Sequence, residues 1–133
     1  MCDAFVGVSQ PRAEALKAAN QTTPQPVRIR ALIDTGASCT CIEPVVLRSL
    51  NLTPTGSLPM RTPSTGTQVH YADQFDVSLV VPHPEQSSLT LGTVAVAESH
   101  LLPQGFHALI GRDVLETCML IYDGRNAFFS LAY

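Results

Sequence analysis

Asp34 closes an apolar run and stands directly before a threonine and a glycine, in the stretch "ALIDTGAS" from Ala31 to Ser38. A carboxylate at a strand end lies at the mouth of a sheet, held by rigid backbone, where it can take or give a proton. Gly36 permits a sharp turn and close backbone approach. The N–H groups of Gly36 and Ala37 are placed to donate to the carboxylate and orient it. Thr35 adds a hydroxyl that needs a partner wherever it is buried. The same tripeptide also closes ordinary strand-end turns, so by itself it does not establish catalysis.

Other reactive side chains form weaker patterns. The cysteines are Cys2, Cys39, Cys41 and Cys118, with no repeated spacing of a zinc site or a disulfide framework, and they read as free thiols. Cys39 and Cys41 are separated by one residue, which on a strand points both to one side and places them close to Asp34. A cysteine nucleophile paired with a distant histidine has no support in the spacing. His70, His83, His100 and His107 lack metal-ligand spacing, so neither a metal nor a cofactor is expected.

The elements that must position Asp34 follow from composition and pattern. The 133 residues suit one domain spanning 1–133, and 45% hydrophobic residues against 14% charged ones are enough for a core. A net charge of −3 leaves no basic footprint for nucleic acid. No apolar run approaches the roughly 18 residues of a membrane span. The N-terminus lacks the basic and long apolar regions of an export signal, which leads to the expectation of a soluble, cytoplasmic chain.

Val27, Ile29, Ala31 and Ile33 alternate with Arg28 and Arg30, predicting a half-buried strand that ends at Asp34. Ala4–Val8 predicts another strand, and residues 9–26, interrupted by prolines, an irregular or partly helical connection. "EPVVLRSLNL" and "RDVLETC" predict short helices. Two extended runs flank "PSTGT", predicting a long hairpin with a polar tip. Strands are further expected in "SLTLGTVAVAE", "HALIG", "MLIYD" and "AFFSLAY". The sum is an all-β domain with one or two short helices.

"ALIDTGAS" resembles the active-site motif of the aspartic proteases, and "HALIGRDVL" (His107–Leu115) resembles their second signature, in the expected order and with a flap-like hairpin between. A single Asp-Thr-Gly in a chain of this length is similar to the one-lobed, retropepsin-like members, over roughly residues 27–133. The resemblance implies a closed β-barrel-like acid-protease fold, active as a two-fold dimer.

It further implies Asp34 as the catalytic acid, with Thr35, Gly36, Ala37 and Ser38 supporting its loop. Thr35 would fasten the loops of two subunits. Pro63, Ser64, Thr65, Gly66 and Thr67 would form a flap tip over a peptide, with Ile110 among the apolar walls beside Leu32, Val69 and Leu109. In the second signature, Leu109, Ile110 and Gly111 would pack beneath Asp34, with Arg112 and Asp113 following. The last strand would join an inter-subunit sheet, unless it pairs within its own sheet.

Viral members commonly carry an acid at the position of Ser38, paired with the arginine matched by Arg112. Serine here leaves that arginine to Asp113 or another acid and leans toward a cellular or bacterial relative. The reaction implied is peptide hydrolysis by two carboxylates sharing one proton, needing no metal. Since the chain has one such motif, the second carboxylate is expected from a second copy, making the partners a homodimer and a peptide or protein substrate. The alternative is a non-catalytic dimerisation or peptide-binding module with the same fold.

Overall fold

The computed structural model describes residues 1–61, 66–85 and 87–133. The alternation in Val27–Ile33 is realised as strand β2, in which Ile29 and Ala31 are buried while Arg28 and Arg30 face solvent. Before it come β1 (Cys2–Val8) and α1 (Gln10–Ala18). The helix starts where the Ser9 side chain accepts the Arg12 N–H, carries its proline in the first turn, and buries Leu16. After β2 follow β3 (Cys41–Ile42), α2 (Pro44–Ser49), β4 (Gly56–Met60), β5 (His70–Val81) and β6 (Leu89–Glu98). A 3-10 turn (Leu102–Gln104), β7 (Ala108–Ile110), α3 (Arg112–Leu115), β8 (Met119–Asp123) and β9 (Phe128–Ala132) complete the order.

Seven strands form one sheet in the order β1-β2-β7-β3-β6-β5-β4, and a further β1–β5 pairing closes it. Six strands therefore make a ring, with β4 added outside as the second arm of the β4–β5 hairpin. The expected all-β, closed barrel-like fold is present. Among the described residues there are three α-helices instead of one or two, because α1 has its own cap and a buried anchor in Leu16.

Alternate residues of β1, β2, β5, β6 and β7 point into the ring and meet α2 and α3. Ala4, Val6, Ile29, Leu47, Val77, Val96, Ile110 and Val114 are all essentially inaccessible there. Burial of each large apolar side chain stabilises by about 1.5–3 kcal/mol before entropy is counted. A smaller cluster of Cys41, Ala72, Ala97, Leu101 and Phe106 lies on the other side of β3.

The short strand β7 governs the site. It runs parallel to β2, pairing Ile33 with Ile110, and antiparallel to β3, pairing Cys41 with Leu109. The loop 34–40 thus has to cross the end of β7. His107 extends the pairing backwards: its N–H donates to the Arg30 carbonyl, its carbonyl accepts from Glu43, and its Nδ1 accepts the Arg30 N–H.

The last strand does not enter the main sheet. β8 and β9 form a separate antiparallel ribbon, turned by Asp123, whose Oδ1 accepts the N–H groups of Arg125 and Asn126. One face of this ribbon carries Met119, Ile121 and Phe128, which are 64%, 56% and 50% exposed. Among the described residues, no helix is long and apolar enough to cross a membrane.

Candidate active site

Asp34 is the first residue beyond β2, and its backbone N–H continues the sheet by donating to the Ile110 carbonyl at 3.0 Å. Its side chain is half-buried, and Oδ1 accepts the Gly36 N–H at 2.8 Å. The Ala37 N–H, expected at the carboxylate, instead donates to the Asp34 backbone carbonyl at 3.3 Å and tightens the turn. Gly36 does not have the positive φ that would by itself require glycine. Its value lies in space: a Cβ there would stand 3.1 Å from Asp34 Oδ1 and crowd the carboxylate.

Below this turn the second signature holds the loop by backbone. The Arg112 N–H donates to the Ala37 carbonyl, and Arg112 Nη1 reaches the carbonyls of Thr35 (3.0 Å) and Gly36 (3.4 Å). The arginine therefore takes carbonyl partners where an acid was expected. Asp113 is occupied elsewhere: its carboxylate accepts the N–H and hydroxyl of Thr40, each at 2.8 Å. The Thr40 hydroxyl in turn accepts the Gly111 N–H at 3.1 Å. A Cβ on Gly111 would come within 2.6 Å of the Cys39 carbonyl group, so the two loops touch backbone to backbone only because residue 111 is glycine.

Above the turn is a cleft of about 400 Å³, within the range that admits small ligands or a few peptide side chains. Its floor is Asp34, Gly36, Ala37 and Ser38; Cys39, Cys41 and Leu109 form one wall, and Met60 and Arg61 at the end of β4 form the other. Among the described residues, Asp34 is its sole lining carboxylate.

Ile110, expected among the substrate walls, is fully buried in the main core. Successive strand residues face opposite ways, so Leu109 lines the cleft and Ile110 supports it from below. Pro63, Ser64 and Thr65 lie outside the described residues; Gly66, with φ +57, and Thr67 are exposed in the turn beyond them. Leu32 is half-buried and packs against the smaller core cluster, while Val69 is 40% exposed. Neither borders the cleft. Thr35 is exposed on the same rim as Asp34.

Sequence reasoning missed Met60 and Arg61. The half-buried alternation of Leu58 and Met60 is the signal that marks an inward face of β4. It also missed Glu43, a buried acid whose Oε2 accepts the N–H groups of Leu101 (2.6 Å) and Leu102 (2.9 Å). Burial pushes Glu43 up, but those two donors and nearby His100 outweigh it and hold the carboxyl below its ordinary range.

The sequence model of the family described as aspartyl protease matches residues 19–114, well over half of the chain. Among solved structures, the chain is similar to a retropepsin-like aspartic protease from Rickettsia conorii. That match has a TM-score of 0.57 at 21% identity, covering 80% of this chain and 75% of that one. It is also similar to the retroviral protease-like domain of Ddi1 from Leishmania major, with a TM-score of 0.46 at 13% identity, covering 98% and 87% of the two chains. No curated protein matches the sequence.

Proposed function

Given that the chain belongs to the aspartyl protease family, we propose that it is an aspartic endopeptidase whose catalytic pair is Asp34 from each of two copies. One observation carries this reading: a single, oriented carboxylate lies on the floor of the cleft. The chemistry needs two. Like charges a few ångströms apart do not both ionise readily, so such a pair titrates in two separated steps and holds one proton between them. The ionised carboxyl then takes a proton from water as the water attacks the scissile carbonyl, and the protonated one gives its proton to the carbonyl oxygen. Roles reverse as the amine leaves.

The residues around Asp34 suit these tasks. Gly36 N–H orients one carboxyl oxygen, and Arg112 stiffens the loop through the Thr35 and Gly36 carbonyls. Thr35 is exposed on the rim, and in a two-fold dimer it would meet its counterpart there. The apolar ribbon face of Met119, Ile121 and Phe128 offers surface for the second copy. An extended peptide would lie between Leu109 and Met60, so apolar residues should flank the cleaved bond.

The deciding experiment compares the wild-type chain with Asp34→Asn for peptide cleavage between about pH 4 and 7, with mass measured in solution. Cleavage by a wild-type dimer and none by the variant is the expected result. Cleavage that survives the substitution excludes the mechanism, and a dimer that never cleaves identifies a peptide-binding module instead.

A further inference from the structure

Two thiols stand in the cleft beside Asp34, and peptide hydrolysis uses neither. Cys39 is half-buried and borders the open space; Cys41, two residues on, is 3% exposed and faces the same way. The Cys41 sulfur lies 3.8 Å from the Cys39 carbonyl oxygen, which keeps the two thiols adjacent. We propose that Cys39 is a thiol-exchange site: it takes up one half of a low-molecular-weight disulfide, and the mixed disulfide fills the space that a peptide needs beside Asp34. The second part rests on reading this cleft as the protease site.

The electrostatics of the pair support this division of roles. Hydrogen bonding from the Cys41 thiol lowers Cys39 to about 7, with help from Ser38, against burial and the Asp113 charge, which raise it. The same hydrogen bond and its own burial push Cys41 up, so Cys41 stays a thiol. At neutral pH a large fraction of Cys39 is thus thiolate, the attacking form. Its sulfur attacks one sulfur of the disulfide, a new S–S bond forms, the old one breaks, and the departing thiolate takes a proton from water. Electrons balance without a further oxidant. Burial of Cys41 keeps its thiol from attacking the adduct, so no internal bridge is expected.

Cys2 and Cys118 serve as internal controls. Burial raises Cys2, and the Cys118 sulfur is engaged by Thr117 and the Val114 carbonyl.

The test treats the whole chain with glutathione disulfide and reads intact mass and mapped peptides. One glutathionyl group is expected, on Cys39, removable by dithiothreitol. Alkylation of Cys39 by iodoacetamide should rise with a midpoint near pH 7, and Cys41→Ala should move that midpoint upward. Peptide cleavage should fall in proportion to the fraction modified and return on reduction. Modification of Cys2 or Cys118 with Cys39 free, an internal Cys39–Cys41 disulfide, or full cleavage by fully modified protein would each overturn the proposal. Labelling does not depend on turnover. A chain that labels at Cys39 but never cleaves peptide therefore removes the protease reading and upholds the exchange site.

Discussion

Thr40 and Asp113 are joined twice, the Thr40 N–H and hydroxyl each lying 2.8 Å from an oxygen of the Asp113 carboxylate. The two residues are 73 positions apart in sequence. Through the Gly111 N–H, which donates to the same hydroxyl, this pair locks the loop that carries Asp34 onto the loop that follows β7. The site is therefore positioned by a partly buried polar clasp as much as by the sheet.

Replacing Thr40 with valine keeps the shape and removes the hydroxyl. Asp113 loses one donor and the buried Gly111 N–H loses its acceptor, so stability should fall by about 1–3 kcal/mol. Thr40→Ser keeps the clasp and sheds one methyl group, costing about 1 kcal/mol or less. Urea denaturation of the three proteins measures the order.

Glu43 should make stability depend on acid. Its folded-state carboxyl is held below the ordinary 4.5, so the contribution is complete above that value and is lost as pH falls through the folded value. Glu43→Gln removes the charge while leaving an acceptor for Leu101 and Leu102. The stability gap between wild type and variant should be about 1 kcal/mol near pH 6 and should close as pH falls below the ordinary carboxylate range. A gap that widens on acidification contradicts the assignment.

Arg112 holds the loop that carries Asp34 through carbonyls instead of through an acid. Arg112→Ala should lower kcat/KM for peptide cleavage by roughly ten- to a hundredfold by loosening Thr35 and Gly36. Because the side chain is exposed, global stability should change by only about 0.5 kcal/mol. Parallel kinetics and denaturation curves separate the two effects.

Ile121 lies on the exposed face of the β8–β9 ribbon. Ile121→Lys should shift the chain from dimer to monomer in sedimentation velocity with unchanged circular dichroism. Cleavage should fall in step with the dimer fraction, since on the proposed mechanism each monomer supplies only one carboxylate of the catalytic pair. A variant that remains dimeric places the interface elsewhere.

Much of this was legible in the residues. Alternation at Val27–Ile33 marked β2 and its inward face, because a strand's period of two leaves little choice when one face must be buried. The Asp-Thr-Gly turn, the Leu109-Ile110-Gly111 run and their order marked the family and the residue at its centre. Local pattern was less informative where a side chain's role depends on distant partners. Nothing near Arg112 in sequence announces that it bonds the Thr35 and Gly36 carbonyls, and nothing near Glu43 announces the Leu101 and Leu102 N–H groups.

By itself, then, the sequence determined the strand periodicity, the turn at Asp34 and that the chain carries a single Asp-Thr-Gly motif. These rest on short-range sterics, on burial, and on the count of one such motif in the chain. Tertiary structure alone decided which of two adjacent residues faces the cleft. Leu109 lines the cleft and Ile110 fills the core because β7 is pinned between β2 and β3 in one register. The spacing had already put Cys39 and Cys41 close to Asp34; the crossing of loop 34–40 over the end of β7 decided that both line the wall of one cleft with it.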